Sequence, residues 1–120
     1  MPFKFEELKV WQESVRFASE IYTLTKKFPR REEFGIISQL NRAAVSISLN
    51  IAEGEGRNSD ADLSRFIQIA IGSLNEAVTI LYISLEQKYI DKAEIFGIDI
   101  SAIKNPGRPR RAIRSSKDLA

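Results

Sequence analysis

Apolar side chains recur along the first part of the chain at alternating intervals of three and four residues, the spacing of one face of an α-helix. Residues 6–28 carry two parallel rows of this kind. The rows are Leu8, Trp11, Val15, Ala18, Tyr22 and Thr25, and beside them Val10, Ser14, Phe17, Ile21, Leu24 and Phe28. Two adjacent rows predict a helix that buries a wide face or contacts two neighbouring helices. We expect Pro29 to end this helix.

The second helical segment, residues 33–53, is almost free of charge. Its apolar stripe has the helical spacing, and Arg42 is the only charged residue between Ile36 and Ala52. A helix at a protein surface normally carries a charged face. The pattern therefore predicts a helix that packs on several sides and that ends in a flexible turn at Gly54 and Gly56.

The third segment, from about residue 59 to residue 88, has the same character. It opens with a capping motif, and Glu76 is the only charged residue between Phe66 and Leu85. A stretch of this length also resembles a membrane span. Polar side chains such as Asn75 interrupt it, and polar groups are costly in lipid. We therefore expect a buried helix of a soluble protein that does not enter a membrane.

A second capping motif, at residues 91–94, opens a short fourth helix that reaches Ile103 and is weakened by Gly97. The sequence thus predicts an all-α protein, an antiparallel up-down four-helix bundle with a short or atypical fourth helix. Residues 1–103 would form the bundle domain. Residues 104–120 carry six basic side chains and one acid, and few large apolar residues, so we expect them to form a flexible basic tail.

The composition narrows the function classes. The chain has 120 residues, no cysteine and no histidine. Without these two residue types it forms no disulfide, no zinc site of the usual kind and no histidine-based catalytic centre. We expect no cofactor, no metal, no small-molecule substrate and no enzymatic activity. The lack of cysteine and of a signal-peptide pattern predicts a cytoplasmic protein.

Polar side chains in the two charge-poor helices form the first candidate site. At about 100° per residue, one side of the second helix carries Gln39, Arg42, Ser46, Asn50 and Glu53. A buried arginine needs an acidic partner, so we expect Arg42 to pair with Glu53 or with Glu76. We interpret these six residues as a structural polar network that fixes helix register or a subunit contact. An active site that uses the two glutamates as acid and base is the alternative.

Basic side chains form the second candidate site, for nucleic acid. They bracket the first interhelical turn, flank the start of the third helix and recur in the tail. The candidates are Lys26, Lys27, Arg30, Arg31, Arg57, Arg65, Arg108, Arg110, Arg111 and Arg114. Such clusters attract phosphate, and a symmetric oligomer would repeat them and concentrate their field. A solvated basic surface without a ligand is the alternative.

Several stretches resemble one protein family. Residues 5–12 and 21–29 are similar to its opening and to the end of its first helix. The most specific similarity is QLNRAAVSI at residues 39–47, followed by residues 50–54 and 56–57. Matching positions in the third helix are Phe66, Ile69, Ala70, Gly72, Ser73, Leu74 and Glu76. On these residues the chain resembles the four-helix bundle protein family, also called the 23S rRNA intervening-sequence protein family.

This resemblance implies an up-down four-helix bundle, assembled as a ring-like homopentamer and of bacterial origin. The genes of the family that the chain resembles often lie inside inserted sequences of ribosomal RNA genes, and no enzymatic activity is established for that family. Members of the family usually continue with a long amphipathic fourth helix, whereas the helical pattern of this chain stops near Ile103.

These observations lead to a prediction of function. The chain would be a non-catalytic, homo-oligomeric scaffold, pentameric by resemblance, that binds the backbone of RNA or DNA through its basic residues. The alternative is an adaptor that binds a polymerase or another mobile-element protein and does not bind nucleic acid.

Overall fold

The structure, a computed structural model, describes residues 3–107. Its three long helices are α1 (Lys9–Thr25), α2 (Ile36–Glu55) and α3 (Asp60–Glu86), and two short helices follow, α4 (Lys92–Phe96) and α5 (Ser101–Lys104). Two 3-10 turns, Lys4–Glu7 and Arg30–Glu32, precede α1 and α2. The described residues contain no strand, and the all-α prediction is confirmed.

α1 and α2 each begin three residues later than the hydrophobic pattern predicts. Before α1 the chain forms a 3-10 turn, and the backbone of Leu8 is extended. Before α2 a second 3-10 turn leads to Gly35, the N-cap residue, whose backbone angles are not helical. The apolar spacing alone could not locate these starts, because a 3-10 turn places side chains at nearly the same intervals.

The predicted capping motif of α4 is complete, and that of α3 is formed in one of its two hydrogen bonds. At the start of α3, the hydroxyl of Ser59 accepts a hydrogen bond of 3.1 Å from the backbone N–H of Asp62. At the start of α4, Asp91 and Glu94 each accept a hydrogen bond from the other's backbone N–H. Both motifs satisfy N–H groups that have no partner within the helix, so these starts are set locally.

α2 and α3 lie antiparallel and very close together. The hydroxyl oxygens of Ser46 and Ser73 are 2.9 Å apart, and a Cβ atom built on Gly54 would lie 2.8 Å from the Cβ of Phe66. Later positions of α2 therefore face earlier positions of α3. Glycine is required at position 54, because any side chain there would overlap α3.

The core lies among the three long helices, and it takes the second of the two apolar rows of α1. The first row is partly exposed, with Val15 and Tyr22 at the surface. The buried core cluster comprises Phe17, Ile21, Leu24, Phe28, Leu40, Ala43, Ala44, Ile47, Ile51, Ala70, Leu74, Ala77, Ile80, Leu81, Ile90 and Ile103. α1 thus has one fully buried face, with a half-exposed row beside it.

α4 and α5 return along α1, antiparallel to it. Lys27, just beyond the end of α1, forms a salt bridge with Glu94 of α4. Glu13, near the start of α1, accepts a hydrogen bond from the backbone N–H of Ala102 in α5. Gly97 follows α4, and the carboxylate of Asp99 accepts a hydrogen bond from the backbone N–H of Ser101, the first residue of α5. The predicted short fourth helix is therefore two separate helices.

α3 is long and apolar enough to cross a membrane by length and composition. The core helix of a soluble protein passes the same test. In this fold one side of α3 is buried, at positions that include Leu63, Ile67, Leu74 and Leu81.

Candidate nucleic-acid interface

The first group of predicted basic residues lies where the chain turns from α1 into α2. Lys26 and Lys27 directly follow α1, and Arg30 and Arg31 belong to the 3-10 turn that begins after Pro29. All four basic side chains are exposed. Local sequence thus places four positive charges at one end of the molecule.

Two of these four cations are held by partners within the chain. Lys27 forms the salt bridge with Glu94. Arg31 donates a hydrogen bond of 3.3 Å to the hydroxyl of Tyr89, and its guanidinium lies 5.9 Å from the centre of that ring. The Tyr89 hydroxyl in turn donates a hydrogen bond of 2.8 Å to Glu32. These contacts tie the α1–α2 connection to α4 and to the segment after α3.

The same contacts change the acidities of the groups involved. The hydrogen bond from Lys27, together with one from the backbone of Asp91, lowers the pKa of Glu94 below its usual value near 4.5. The hydrogen bond to Glu94 raises the pKa of Lys27 above its usual value. The hydrogen bond to Glu32 raises the pKa of Tyr89, because a phenolate could not donate it.

Lys26 and Arg30, by contrast, form no ion pair with another residue in the range 3–107. Both line an open hollow of about 350 Å³ between the end of α1 and the start of α2. We call it the corner hollow; its lining includes Tyr22, Lys26, Phe28, Arg30, Glu33 and Ile37. It combines two positive charges and one acid with aromatic and aliphatic surface.

The second group of basic residues surrounds Phe66 near the turn between α2 and α3. The guanidinium groups of Arg57 and Arg65 lie 5.1 Å and 4.6 Å from the centre of the Phe66 ring. Arg57 forms a salt bridge of 2.9 Å with Glu53, and Arg65 one of 3.5 Å with Asp62. Both arginines are therefore partly neutralised by acids beside them.

The two basic groups lie at opposite ends of α2. This helix has 20 residues, and a helix of that length spans about 30 Å. Within residues 3–107, the predicted basic residues therefore form two separate groups instead of one continuous surface. Of the two, only the region at the α1–α2 turn holds cations without an acidic partner among the described residues.

The predicted polar network is formed only in its middle. The side-chain amide of Asn50 donates a hydrogen bond of 3.0 Å to the hydroxyl of Ser46, which also bonds to Ser73. These three residues connect α2 to α3. They support the interpretation that part of the network fixes helix register.

The rest of the network prediction does not hold within the chain. Arg42 pairs with neither Glu53 nor Glu76: its side chain is exposed, and Glu53 binds Arg57. Gln39 and Glu76 are exposed as well. The prediction assumed that a charge-poor helix is covered on every side. At Arg42 the surface of α2 faces solvent in the single chain, so this side chain is hydrated and needs no acidic partner.

Glu53 and Glu76 are also too far apart to act as a pair. Glu53 lies seven positions after Ser46 in α2, and Glu76 lies three positions after Ser73 in α3. Because α2 and α3 are antiparallel, the two glutamates lie on opposite sides of the contact between the serines, and the two separations add. Ten helical positions correspond to about 15 Å, whereas paired catalytic carboxylates of glycosidases lie about 5–9.5 Å apart. Among residues 3–107, no group of three acidic side chains is placed to hold a metal ion.

One comparison identifies the family of the chain. The model of the 23S rRNA-intervening sequence protein family matches residues 6–102. The chain belongs to this family. The match runs from the 3-10 turn before α1 into α5, and it contains both basic groups. A search of curated proteins found no match.

The family match ends at residue 102, before the basic tail. The tail candidates Arg108, Arg110, Arg111 and Arg114 lie outside the described residues. α5 ends at Lys104, so the helical part extends slightly beyond the predicted boundary at residue 103.

Sequence reasoning missed three residues that matter for this family member. Glu13 is almost completely buried in α1, where the pattern gave no reason to expect a buried acid. Phe34 is 91% exposed beside the basic turn, and Tyr22 is half exposed in the corner hollow. The available signal was an aromatic residue next to Gly35, in a connection between two helices that also carries several basic residues.

Proposed function

We propose that this protein is a non-catalytic helical scaffold that self-associates and binds the backbone of RNA. The observation that carries the proposal is the pair of exposed cations, Lys26 and Arg30, which line an open hollow and lack an acidic partner among residues 3–107. Cations that are not neutralised within the protein can replace the counterions of a phosphate backbone.

The proposed scaffold is an antiparallel up-down four-helix bundle whose fourth helix is divided into α4 and α5. Two contacts support this arrangement: Glu94 of α4 lies against Lys27, and Ala102 of α5 lies against Glu13. The fourth segment also packs against α3 through α5. Such a segment closes the bundle less completely than one long helix would.

The proposed self-association rests on the outward side of α2 and α3. Leu49 is 64% exposed and Ile69 is 43% exposed. Leu49 lies three positions after Ser46 and Ile69 four positions before Ser73, so in the antiparallel register the two occupy the same level of the surface. Adjacent exposed apolar side chains on a surface with few charges favour contact with another protein surface.

Arg42 and Glu76 also lie at the same level along the two helices as each other. Their level is on the opposite side of the Ser46–Ser73 contact from Leu49 and Ile69. Arg42 lies four positions before Ser46 and Glu76 three positions after Ser73, and both are exposed. An apolar patch bordered by one charge of each sign can be matched by the same patch of a second copy. We propose that the predicted pairing of Arg42 with an acid is made between subunits.

RNA binding can be tested by fluorescence anisotropy with a labelled RNA of mixed sequence. We expect binding at about 50 mM salt that weakens steeply towards about 200 mM. Replacing both Lys26 and Arg30 by alanine should weaken binding and reduce the salt slope by about one for each phosphate that is no longer neutralised. The matched control replaces Lys4 and Lys9, two exposed lysines near the start of α1, and removes the same charge.

Three results would contradict RNA binding as proposed: no binding at low salt, binding that salt does not weaken, or equally weakened binding in both double variants. The adaptor alternative would then be favoured if the protein still self-associates and retains a protein partner after nuclease treatment. The mass in solution, measured by light scattering, tests the scaffold itself, because a monomer at all concentrations would contradict it.

A further inference from the structure

Aromatic side chains accompany the unpaired cations at the α1–α2 turn. Tyr22 is 50% exposed and lines the corner hollow, where Phe28 supplies buried aromatic surface. Phe34 follows Glu33, another lining residue, and is the most exposed large apolar side chain within residues 3–107. Exposing a phenylalanine to this degree is unfavourable in water. The aromatic surface is therefore open to a ligand.

The combination of cations and aromatic rings at this turn suits single-stranded nucleic acid better than a double helix. A double helix presents phosphates to a protein but keeps its bases stacked inside, so aromatic side chains add little to its binding. A single strand offers both groups: its bases stack on aromatic rings and its phosphates meet nearby cations. At this turn Lys26 and Arg30 can meet phosphate, while Tyr22 and Phe34 offer ring faces.

The corner hollow has room for a group the size of one base. Its volume of about 350 Å³ is at the lower end of the range of about 300–1,000 Å³ for small-molecule sites. It opens to solvent at the end of the bundle, so a strand can pass across it without entering the core. Its single acid, Glu33, is an acceptor for the amino groups of an unpaired base.

We infer that the corner hollow binds single-stranded RNA, with one unpaired base against Tyr22, a neighbouring base on Phe34, and the intervening phosphate at Lys26 and Arg30. This inference rests on the proposed RNA binding and adds the form of RNA recognised. It also assigns a role to two aromatic residues that form no part of a backbone-binding surface.

The test compares one labelled RNA sequence as a single strand and as a duplex, using wild-type protein and four variants, one of them a control. We expect the single strand to bind more tightly than the duplex. Tyr22→Ala and Phe34→Ala should each weaken single-strand binding by at least about 5-fold, the effect of removing one stacking ring. Tyr22→Phe, which keeps the ring, should bind like wild type.

Phe96→Ala is the matched control, because Phe96 is 71% exposed on α4 and lies outside the corner hollow. It should leave both affinities unchanged. Duplex affinity serves as a second control, since Tyr22→Ala should not alter it if the variant is folded.

The outcomes separate this inference from the proposal it rests on. Equal affinity for both forms, or an unchanged affinity in Tyr22→Ala and Phe34→Ala, would overturn single-strand recognition and leave backbone binding in place. Binding weakened as much in Tyr22→Phe as in Tyr22→Ala would overturn the stacking role. Failure to bind either form would overturn both the inference and the proposed function.

Discussion

The carboxylate of Glu13 accepts a hydrogen bond of 3.0 Å from the backbone N–H of Ile103, ninety residues later in the chain. It accepts a second, of 2.7 Å, from the N–H of Ala102. Both N–H groups belong to the first turn of α5, where they have no partner within the helix. A buried acid on α1 therefore satisfies the start of α5 and holds the end of the fourth segment against the bundle.

Replacing Glu13 should release this segment. Glu13→Ala leaves buried N–H groups without an acceptor and should cost about 2–3 kcal/mol of the free energy of unfolding. Glu13→Gln keeps one carbonyl oxygen and should cost about 1 kcal/mol. Urea unfolding measures both effects, and hydrogen exchange at the amides of Ala102 and Ile103 should accelerate. Glu86→Ala, which changes an exposed acid, should stay within about 0.5 kcal/mol of wild type. Unchanged stability and exchange in Glu13→Ala would contradict this role.

Two glycines in adjacent helices should respond in opposite directions to alanine. At Gly54 the new Cβ would lie 2.8 Å from the Cβ of Phe66 and 3.3 Å from the backbone of Leu63, so Gly54→Ala should destabilise the fold by about 1–3 kcal/mol. At Gly72 nothing lies within 4 Å, so Gly72→Ala should stabilise α3 by about 0.5–1 kcal/mol. Denaturant unfolding of both variants tests the close approach of α2 and α3. Similar effects of the two changes would argue against it.

A lysine at the apolar patch of α2 and α3 should reduce self-association. Leu49→Lys places a charge beside Ile69, where the proposed subunit contact would have to desolvate it. We expect a smaller mass by light scattering and an unchanged circular dichroism spectrum, because Leu49 is exposed in the single chain. Phe96→Lys changes an equally prominent apolar residue on α4 and should leave the mass unchanged. If Leu49→Lys forms an assembly of the same mass as wild type, the contact between subunits lies elsewhere on the surface.

Acid should weaken the attachment of α4 through Glu94. The folded state lowers the pKa of this carboxyl below its usual value near 4.5, so at acidic pH the unfolded chain binds the proton more readily than the folded one. The stabilisation by the Lys27–Glu94 pair is therefore complete above about pH 4.5 and is lost as the pH falls through the lower, folded-state pKa. Glu94→Gln should show a smaller decrease in stability than wild type over this acidic range, in urea titrations at several pH values. If the stabilities of wild type and Glu94→Gln fall equally as the pH is lowered, the Lys27–Glu94 pair does not cause the loss of stability in acid.

Much of the local structure could be predicted from the pattern of residues that are close together in the sequence. The apolar spacing identified three long helices, and the capping motifs at Ser59 and Asp91 located the starts of α3 and α4. The interruption at Gly97 and the lack of a long fourth helix were also visible. These features depend on groups within about four residues of each other, so the sequence contains the information that decides them.

The candidate site depended on contacts between residues distant in sequence. Spacing placed four cations at the α1–α2 turn, but only the fold engaged Lys27 with Glu94 and Arg31 with Tyr89 and left Lys26 and Arg30 in the corner hollow. In the same way, two rows on α1 were equally apolar by pattern, and tertiary packing buried one of them. Helical periodicity defines faces, whereas the burial of a face and the pairing of a charge depend on which segments pack against it.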